Sequence, residues 1–286
     1  MTYSEKILNA VRGSRSVLCA GIDPVPEQFP PVIRNSGQPE REMAATFCRT
    51  LITQTKAHVA AYKINTAYFE ALGPDAFHVL NDVLDAIPSG KIIIADIKRG
   101  DVPHTNARYK TAFFDRFGFD AVTLSPFMGL DTMLPFLQDT ERAVYALTLT
   151  SNPGASDFMT QPFGGRPTLS EYVADQLQKL SETCPGTLGM VIGATQSDLY
   201  KPVMRAFSGA PLLIPGVGAQ GGSVEELSAA LQRHRGVPLI NVSRSLSAFN
   251  ADAPEPWDLQ IALNAGRLNG TLEAIAAPHI HPADNS

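Results

Sequence analysis

The sequence predicts an α/β protein, a (β/α)8 TIM barrel that forms a single domain. Three observations support this fold class: eight short apolar runs recur along the 286 residues, longer amphipathic segments separate them, and the runs are continuous rather than alternating. Continuous apolar runs are typical of parallel strands that are buried on both faces. Eight such strands alternating with about eight helices in roughly 250 residues indicate a closed barrel. An open doubly wound sheet is the alternative, but it usually contains fewer strands.

The elements follow one another from the N-terminus. Ile7, Leu8 and Val11 have helical spacing and predict an N-terminal helix. The predicted strands span residues 16–22, 58–64, 91–97, 120–125, 143–149, 188–193, 211–215 and 237–242. The predicted helices span residues 42–56, 69–87, 105–117, 130–137, 169–183, 197–207, 224–233 and 257–272, the last of which closes the barrel. Ser223 with Glu226 three residues later is a capping-box signature for the start of the helix at 224.

Two segments lie outside this alternation. Residues 24–40 contain five prolines in seventeen residues, and they predict an ordered insertion after the first strand rather than a linker between domains. Residues 277–286, APHIHPADNS, predict a short polar tail. His279 and His281 in this tail fit a frayed terminus better than a pair of metal ligands. We therefore expect one domain over residues 1–286.

Composition excludes several classes of function. The formal net charge of -5 argues against a protein that coats nucleic acid. No run of about 18 apolar residues occurs, so we expect no membrane span, and the N-terminus has no continuous apolar segment of a signal peptide. Three widely spaced cysteines, Cys19, Cys48 and Cys184, argue against a disulfide framework or a zinc site. No set of His, Asp and Glu has metal-ligand spacing. We expect a cytoplasmic protein without a bound metal.

Polar residues follow most of the predicted strands at their C-terminal ends. In a (β/α)8 barrel the active site lies at these ends, on the loops that lead into the helices. The residues concerned are Asp23 after strand 1, Lys63 in strand 2, Asp96, Lys98 and Asp101 at and after strand 3, Ser151 after strand 5, and Ser243 and Arg244 after strand 8. The sequence therefore predicts a functional site at this mouth of the barrel.

The segment ADIKRGD, residues 95–101, carries the densest group of charges. Asp96 and Lys98 are two residues apart, so they share one face of a strand. Lys63 on the neighbouring strand is placed to reach Asp96 from its other side. We predict a chain of alternating charge, Lys63, Asp96, Lys98 and Asp101, in which the carboxylates keep the ammonium groups protonated. A structural ion-pair network is the alternative, but burying ions is costly, which favours a functional site.

The segment PGVGAQGG, residues 215–222, has four glycines in eight residues between a strand and a capped helix. Backbone N–H groups at glycines and at a helix N-terminus suit an anion. The loops after strands 7 and 8 form the usual phosphate site of such barrels, and Gln220 and Arg244 supply side-chain donors. We predict phosphate binding here rather than an ordinary turn, with residues 216–222 closing as a lid.

Five motifs occur in order: AYKINTAYFE around Lys63, ADIKRGD, TSNPGA, PGVGAQGG and NVSRS. Together they closely resemble the orotidine 5'-monophosphate decarboxylase family, in its longer bacterial variant. The resemblance extends from Asp23 to Arg244. The Asp-x-Lys-x-x-Asp core alone is shared with sister phosphosugar enzymes of the same barrel, whereas the full set of five motifs is specific.

The resemblance implies decarboxylation of orotidine 5'-monophosphate to uridine 5'-monophosphate, the final step of de novo pyrimidine nucleotide synthesis, without a cofactor. Lys98 resembles the acid that protonates C6 after CO₂ leaves, and Asp96 the carboxylate placed against the departing group. Lys63 resembles the lysine that bridges Asp96 and the ribose hydroxyls. Asp101 and Thr105 resemble residues given to the neighbouring protomer's site, which implies a homodimer with shared active sites.

The resemblance also implies roles in substrate binding. It assigns the ribose to Asp23, the pyrimidine edge to Ser151, the base pocket to Pro215 and the phosphate to Gln220 and Arg244. Ser243 stands where shorter variants of the family have glycine. A backbone contact from Ser243 to phosphate is expected, and the role of its side chain stays open.

Two other functions are left open by the residues alone. The first is a metal-dependent phosphosugar decarboxylase or aldolase on the same barrel. The second is a non-catalytic barrel that binds a nucleotide. Arg244 and the serine of TSNPGA favour a nucleotide over an open-chain sugar, and a protein that only binds has no use for a lysine between two carboxylates.

Overall fold

Eight parallel strands form a closed barrel in the computed structural model, which describes residues 1–195, 197–217 and 223–281. Each strand pairs with the next along the chain, and the eighth pairs with the first. The strands are β1 (Leu18–Ile22), β2 (Ala61–Asn65), β3 (Ile92–Arg99), β4 (Ala121–Leu124), β5 (Ala143–Leu149), β6 (Thr187–Ile192), β7 (Leu212–Pro215) and β8 (Pro238–Val242). The predicted fold class and all eight predicted strands are confirmed, and the open-sheet alternative is wrong.

Helices surround the barrel and cover its lower end. They are α1 (Tyr3–Ser14), α2 (Pro31–Arg34), α3 (Glu40–Thr55), α4 (Thr66–Glu70), α5 (Ala76–Ala86), α6 (Pro103–Lys110), α7 (Ala155–Phe158), α8 (Leu169–Ser181), α9 (Ser197–Ala206), α10 (Val224–Leu231), α11 (Arg244–Ser247), α12 (Trp257–Thr271) and α13 (Glu273–Ile280). Turns of 3₁₀-helix occur at Pro26–Gln28, Gly73–Asp75 and Leu130–Gln138, and a turn of π-helix, Thr111–Arg116, follows α6.

Several helix boundaries differ from the prediction for local reasons. The helix predicted at 69–87 is divided into α4, a 3₁₀ turn and α5, because Gly73 adopts a left-handed φ of 66°. Pro103 begins α6 two residues earlier than predicted, as proline favours the first helical position. The polar tail predicted for residues 277–286 is helical as far as Ile280, because Ile275 and Ala276 of α13 are buried. Residues 282–286 lie outside the described residues.

The proline-rich segment 24–40 packs against α3. It contains the 3₁₀ turn Pro26–Gln28 and helix α2. Phe29 and Ile33 are 2% and 5% exposed, and the ring of Phe29 stacks on Phe47 of α3 with 4.9 Å between the ring centroids. These two apolar side chains fix the segment beside the end of β1, where the upper mouth of the barrel opens.

The lower end of the barrel is closed by α1. The side chain of Tyr145 on β5 meets Tyr3 of α1, and their hydroxyl groups hydrogen-bond at 2.9 Å. Both tyrosines are fully buried. The two cavities described below lie at the opposite end, where the strands finish.

Candidate active site

Asp96 lies on β3 and lines the upper mouth of the barrel. Its Oδ2 accepts a hydrogen bond from Lys63 Nζ at 2.6 Å, and its Oδ1 accepts one from Lys98 Nζ at 2.6 Å. We call Lys63, Asp96 and Lys98 the charge cluster. β2 and β3 bring its members together, since Asn65 of β2 stands opposite Asp96 of β3 in the parallel register. The three side chains that the sequence predicts to meet are in contact.

The charges of the cluster support one another in a buried place. Burial opposes ionisation of Asp96, but the ammonium groups of Lys63 and Lys98 outweigh it and lower the pKa of the carboxyl to about 2. Burial likewise opposes protonation of Lys63, but Asp96 and Asp23 outweigh it and raise the pKa of that ammonium. Lys98 differs from its partners in exposure: 49% of its side chain is accessible, against 8% for Asp96. The cluster therefore contains one accessible ammonium group, that of Lys98, which is paired with the buried and ionised carboxylate of Asp96.

Asp101 does not join the cluster within one chain. Its Oδ1 accepts a hydrogen bond from the N–H of its neighbour Val102 at 2.7 Å. None of the ion pairs between described residues includes Asp101. Lys98 and Asp101 of one chain therefore form no ion pair among the described residues, and the place of Asp101 in the predicted charge chain stays a prediction. Thr105 lies on α6.

Two of the cavities in the mouth adjoin each other. One of about 220 Å³ is lined by the charge cluster together with Ser151, Asn152 and apolar side chains of β5 to β7. The other, of about 210 Å³, is lined by Asp23, Ser243, Arg244 and Gly216. Lys63, Pro215 and Asn241 line both cavities. An elongated ligand can therefore span from the charge cluster to the ends of β7 and β8.

The predicted phosphate loop is described only in part. Gln220 and residues 218–222 of the predicted lid lie outside the described residues. Pro215 and Gly216 are described and line the second cavity with Arg244. Arg244 begins α11 directly after Ser243. Of the residues predicted to bind phosphate, Arg244 and Ser243 thus stand together at the end of β8.

Two side-chain oxygen atoms in the mouth, on Asp23 and Asn241, are buried hydrogen-bond acceptors. Asp23 and Asn241 each have a buried Oδ1 without a hydrogen-bond partner among the described residues. A buried oxygen of this kind costs free energy unless a ligand or water satisfies it. Hydroxyl groups, such as those of a sugar, are suitable donors.

Sequence reasoning missed two polar residues of the mouth, Asn241 on β8 and Thr123 on β4. Asn241 is 9% exposed and stands two residues before Ser243. Thr123 is 1% exposed, and its hydroxyl donates to Asp96 Oδ1 at 2.9 Å. The available signal was a single polar residue inside an apolar strand, in VPLINV and in DAVTLS. In a barrel filled by apolar side chains, such a residue points to the polar mouth.

Gly21 on β1 explains how the side chain of Ser243 is accommodated. A Cβ atom at position 21 would lie 1.9 Å from Ser243 Oγ and 2.9 Å from Ser243 Cβ. The missing side chain at Gly21 therefore provides the space that Ser243 fills. The side chain of Ser243, whose role the sequence left open, packs across the first strand.

A second group of basic residues lies on the outer surface of the barrel. A cavity of about 600 Å³ lies outside the barrel between α9 and the end of α10, lined by Lys201, Arg205, Arg233 and His234 among others. Arg205 and Arg233 lie at helix C-termini, where cations complement the helix dipole. Within residues 1–195, 197–217 and 223–281, no group of three His, Cys, Asp or Glu residues could hold a metal ion. The mouth of the barrel is the better candidate because it holds the paired charges.

The fold and the mouth define a (β/α)8 barrel enzyme that binds a small, elongated, polar substrate beside a fixed ammonium group. The chain belongs to the orotidine 5'-phosphate decarboxylase / HUMPS family, whose sequence model matches residues 16–254. It is 38% identical over 250 residues to orotidine 5'-phosphate decarboxylase of Delftia acidovorans, which covers 86% of this chain and 89% of the relative. With that of Porphyromonas gingivalis it shares 33% identity over 276 residues, covering 94% and 96% of the two chains.

A solved structure extends the likeness to three dimensions. The OMP decarboxylase of Leishmania donovani matches with a TM-score of 0.77 and 31% identity, covering 97% of this chain and all of the other. The resemblance inferred from the five motifs is confirmed. No helix in the described part of the chain has the length and apolar character needed to cross a membrane.

Proposed function

We infer that the chain catalyses decarboxylation of orotidine 5'-monophosphate to uridine 5'-monophosphate and CO₂, the final step of pyrimidine nucleotide synthesis. The observation that carries this conclusion is the charge cluster at the mouth of a barrel of this family. Lys98 Nζ, 2.6 Å from Asp96 Oδ1, lines a cavity that adjoins a second cavity lined by Asp23, Ser243 and Arg244. The enzyme is a carboxy-lyase.

Lys98 supplies the charge and the proton that the reaction needs. Loss of CO₂ leaves an electron pair on C6 of the pyrimidine, and a fixed ammonium group stabilises that charge as it develops. One such pair at about 3.5 Å, with an effective dielectric of about 20, contributes roughly 5 kcal/mol. This corresponds to about 10³- to 10⁴-fold in rate. Asp96 holds the ammonium group of Lys98 in place until that group transfers a proton to C6, which leaves Lys98 as a neutral amine.

The remaining acceleration comes from groups that bind the non-reacting parts of the substrate. Asp23 and Lys63 bind the ribose, Ser151 the pyrimidine edge, and Arg244 the phosphate. Pro215 adjoins the base, and the sequence assigns Gln220, which lies outside the described residues, to the phosphate. Binding energy of a remote group can be used to orient and strain the reacting centre. Asp96 beside the departing carboxylate adds electrostatic repulsion in the ground state.

The test is the loss of ultraviolet absorbance of the orotate ring, followed with wild type and Lys98→Ala side by side. We expect Lys98→Ala to lower kcat by at least about 10³-fold, because the charge at C6 loses its partner. Lys179→Ala, on the exposed face of α8, is the matched control and keeps wild-type turnover. Equal turnover of wild type and Lys98→Ala contradicts the assignment.

The same assay separates the rival functions. A metal-dependent phosphosugar enzyme loses its activity on exhaustive chelation, whereas the proposed reaction does not require a metal. A non-catalytic barrel binds uridine 5'-monophosphate but releases no CO₂ from orotidine 5'-monophosphate. The intact contacts of Lys98 with Asp96 favour catalysis over binding alone.

The enzyme acts as a homodimer with shared active sites. Asp101 and Thr105 are the residues that a protomer gives to its partner, which accounts for the absence of an Asp101–Lys98 contact between described residues of one chain. Large apolar side chains are exposed on the segments that follow β3 and β4: Val102 (40%), Phe127 (61%), Met128 (52%) and Leu134 (37%). Exposed apolar surface next to a site is typical of an interface.

Complementation of two impaired variants tests the sharing of sites. Lys98→Ala and Asp101→Ala are each expected to be nearly inactive. When equal amounts are mixed and allowed to exchange subunits, half of the dimers are mixed, and each mixed dimer contains one fully wild-type site. Activity is therefore expected to return to about one quarter of wild type. No recovery after proven subunit exchange contradicts the shared site.

We place the enzyme in the cytoplasm. Cys19, Cys48 and Cys184 are all free, and Cys19 and Cys48 are buried. Free cysteines are typical of a reducing compartment.

A further inference from the structure

Thr123 on β4 makes two hydrogen bonds, one with the backbone of Lys98 and one with the side chain of Asp96. Its Oγ1 accepts a hydrogen bond from the backbone N–H of Lys98 at 3.0 Å. The same hydroxyl donates to Asp96 Oδ1 at 2.9 Å. Because an ionised carboxylate can only accept, the hydroxyl proton points to Asp96, and its lone pair faces Lys98. Thr123 is 1% exposed, so water does not compete for either contact.

The backbone of Lys98 is unusual and needs such a partner. Its φ is 46°, in the left-handed region that non-glycine residues rarely adopt. The pairing of β3 with β4 shifts between Ala95 and Arg99, so the regular ladder is interrupted at Lys98. A buried backbone N–H without a partner is costly, and Thr123 takes the place of the missing strand carbonyl.

We propose that Thr123 is a positioning residue that sets the location of the Lys98 ammonium group. The contacts form a closed ring in which Lys98 N–H binds Thr123, Thr123 binds Asp96 Oδ1, and the same Oδ1 binds Lys98 Nζ. Both ends of the lysine are thereby fixed to one carboxylate oxygen. This inference rests on the proposed role of Lys98 as the group beside C6.

The ring predicts a defect in turnover rather than in substrate affinity. Without the hydroxyl, the backbone of Lys98 relaxes and its ammonium group moves relative to C6, which affects the transition state more than the bound substrate. Thr123→Val keeps the shape of the side chain and removes both hydrogen bonds. Thr123→Ser keeps the hydroxyl.

The experiment compares kcat and KM of Thr123→Val and Thr123→Ser with those of Thr148→Val. Thr148 is the matched control: it is also 1% exposed, lies on the neighbouring β5, and its hydroxyl donates to the carbonyl of Ala146 at 3.0 Å. We expect Thr123→Val to lower kcat about 10- to 100-fold with KM within about threefold. Thr123→Ser and Thr148→Val are expected to stay within about fivefold of wild type.

Amide hydrogen exchange provides a measurement that does not depend on activity. The N–H of Lys98 is expected to exchange at least about tenfold faster in Thr123→Val than in wild type or Thr123→Ser, because its acceptor is gone. If Lys98→Ala has wild-type turnover, the proposed function fails, while the exchange rate still reports on the ring. If Thr123→Val does not fold, Thr123→Ala takes its place with the same expectations.

A kcat of the folded hydroxyl-free variant within threefold of wild type, or a KM that rises as much as kcat falls, overturns the positioning role. An unchanged exchange rate of the Lys98 N–H overturns the ring itself.

Discussion

Asp96 carries the electrostatics of the site at the scale of a single residue. Its carboxylate accepts hydrogen bonds from Lys63, Lys98 and Thr123. An unpaired carboxylate so deeply buried would be protonated at neutral pH. The three donors reverse that tendency, so the side chain is charged and fixed before any substrate arrives.

The lowered pKa of Asp96 predicts a specific loss of stability in acid. The folded-state pKa of about 2 lies below the ordinary value, so the unfolded chain takes up the proton first. The ionised Asp96 stabilises the folded state by roughly 2 kcal/mol. This stabilisation is complete above about pH 4 and is lost as the pH falls towards the folded-state pKa. In Asp96→Asn this part of the pH dependence of the free energy of unfolding is absent.

Denaturant unfolding of wild type and Asp96→Asn across this acidic range measures the difference. Asp252→Asn, an exposed carboxylate in the loop before α12, is the control and follows wild type. Parallel curves for wild type and Asp96→Asn are the result that contradicts the assignment of this pKa.

At the scale of elements, the site depends on how β1 fits against the turn from β8 into α11. Gly21 and Ser243 share one space, so the two positions constrain each other. We expect Gly21→Ala to destabilise the protein by about 1–3 kcal/mol, because a Cβ cannot be added without displacing Ser243. The displaced turn also carries Arg244, so the KM for the phosphorylated substrate rises.

A double substitution tests this fit. Gly21→Ala with Ser243→Gly frees the space again and is expected to recover most of the stability that Gly21→Ala loses. Thermal unfolding and KM of the two single variants and the double variant form a complete cycle. Additive losses in the double variant are incompatible with the shared space.

The elements were predictable to different degrees. The eight strands and the barrel followed from continuous apolar runs, since burial on both faces leaves that pattern in the sequence. The meeting of Lys63 with Asp96 followed from strand order. The interruption of β3 at Lys98, the hydroxyl of Thr123 and the fit of Ser243 over Gly21 did not, because each depends on the register of strands that no local pattern specifies. The division of the helix after β2 at Gly73 was missed for a different reason: apolar spacing continues across the break.

At the scale of the whole molecule, the two ends of the barrel have separate tasks. The upper end carries the charge cluster, and the lower end is closed by α1 through the buried pair Tyr3 and Tyr145. We expect Tyr145→Phe to lower the free energy of unfolding by about 1–3 kcal/mol, because it leaves the Tyr3 hydroxyl buried and unpaired. Its kcat is expected to equal that of wild type.

Tyr3→Phe with Tyr145→Phe is the informative comparison, since it removes both hydroxyl groups together. Its stability is expected to lie closer to wild type than that of either single variant. Denaturant unfolding measures the stabilities, and the orotate assay measures turnover. A fall in kcat of Tyr145→Phe would mean that the two ends are coupled.

The closed sheet limits how two copies of the folded barrel can associate. Because β8 pairs with β1, no strand of the barrel offers an unpaired row of N–H and C=O groups. Edge-to-edge pairing, the common route by which sheet proteins aggregate, is therefore closed to the folded barrel. Two folded copies therefore meet through loops and helices rather than through a strand edge, and such a contact leaves the sheet intact.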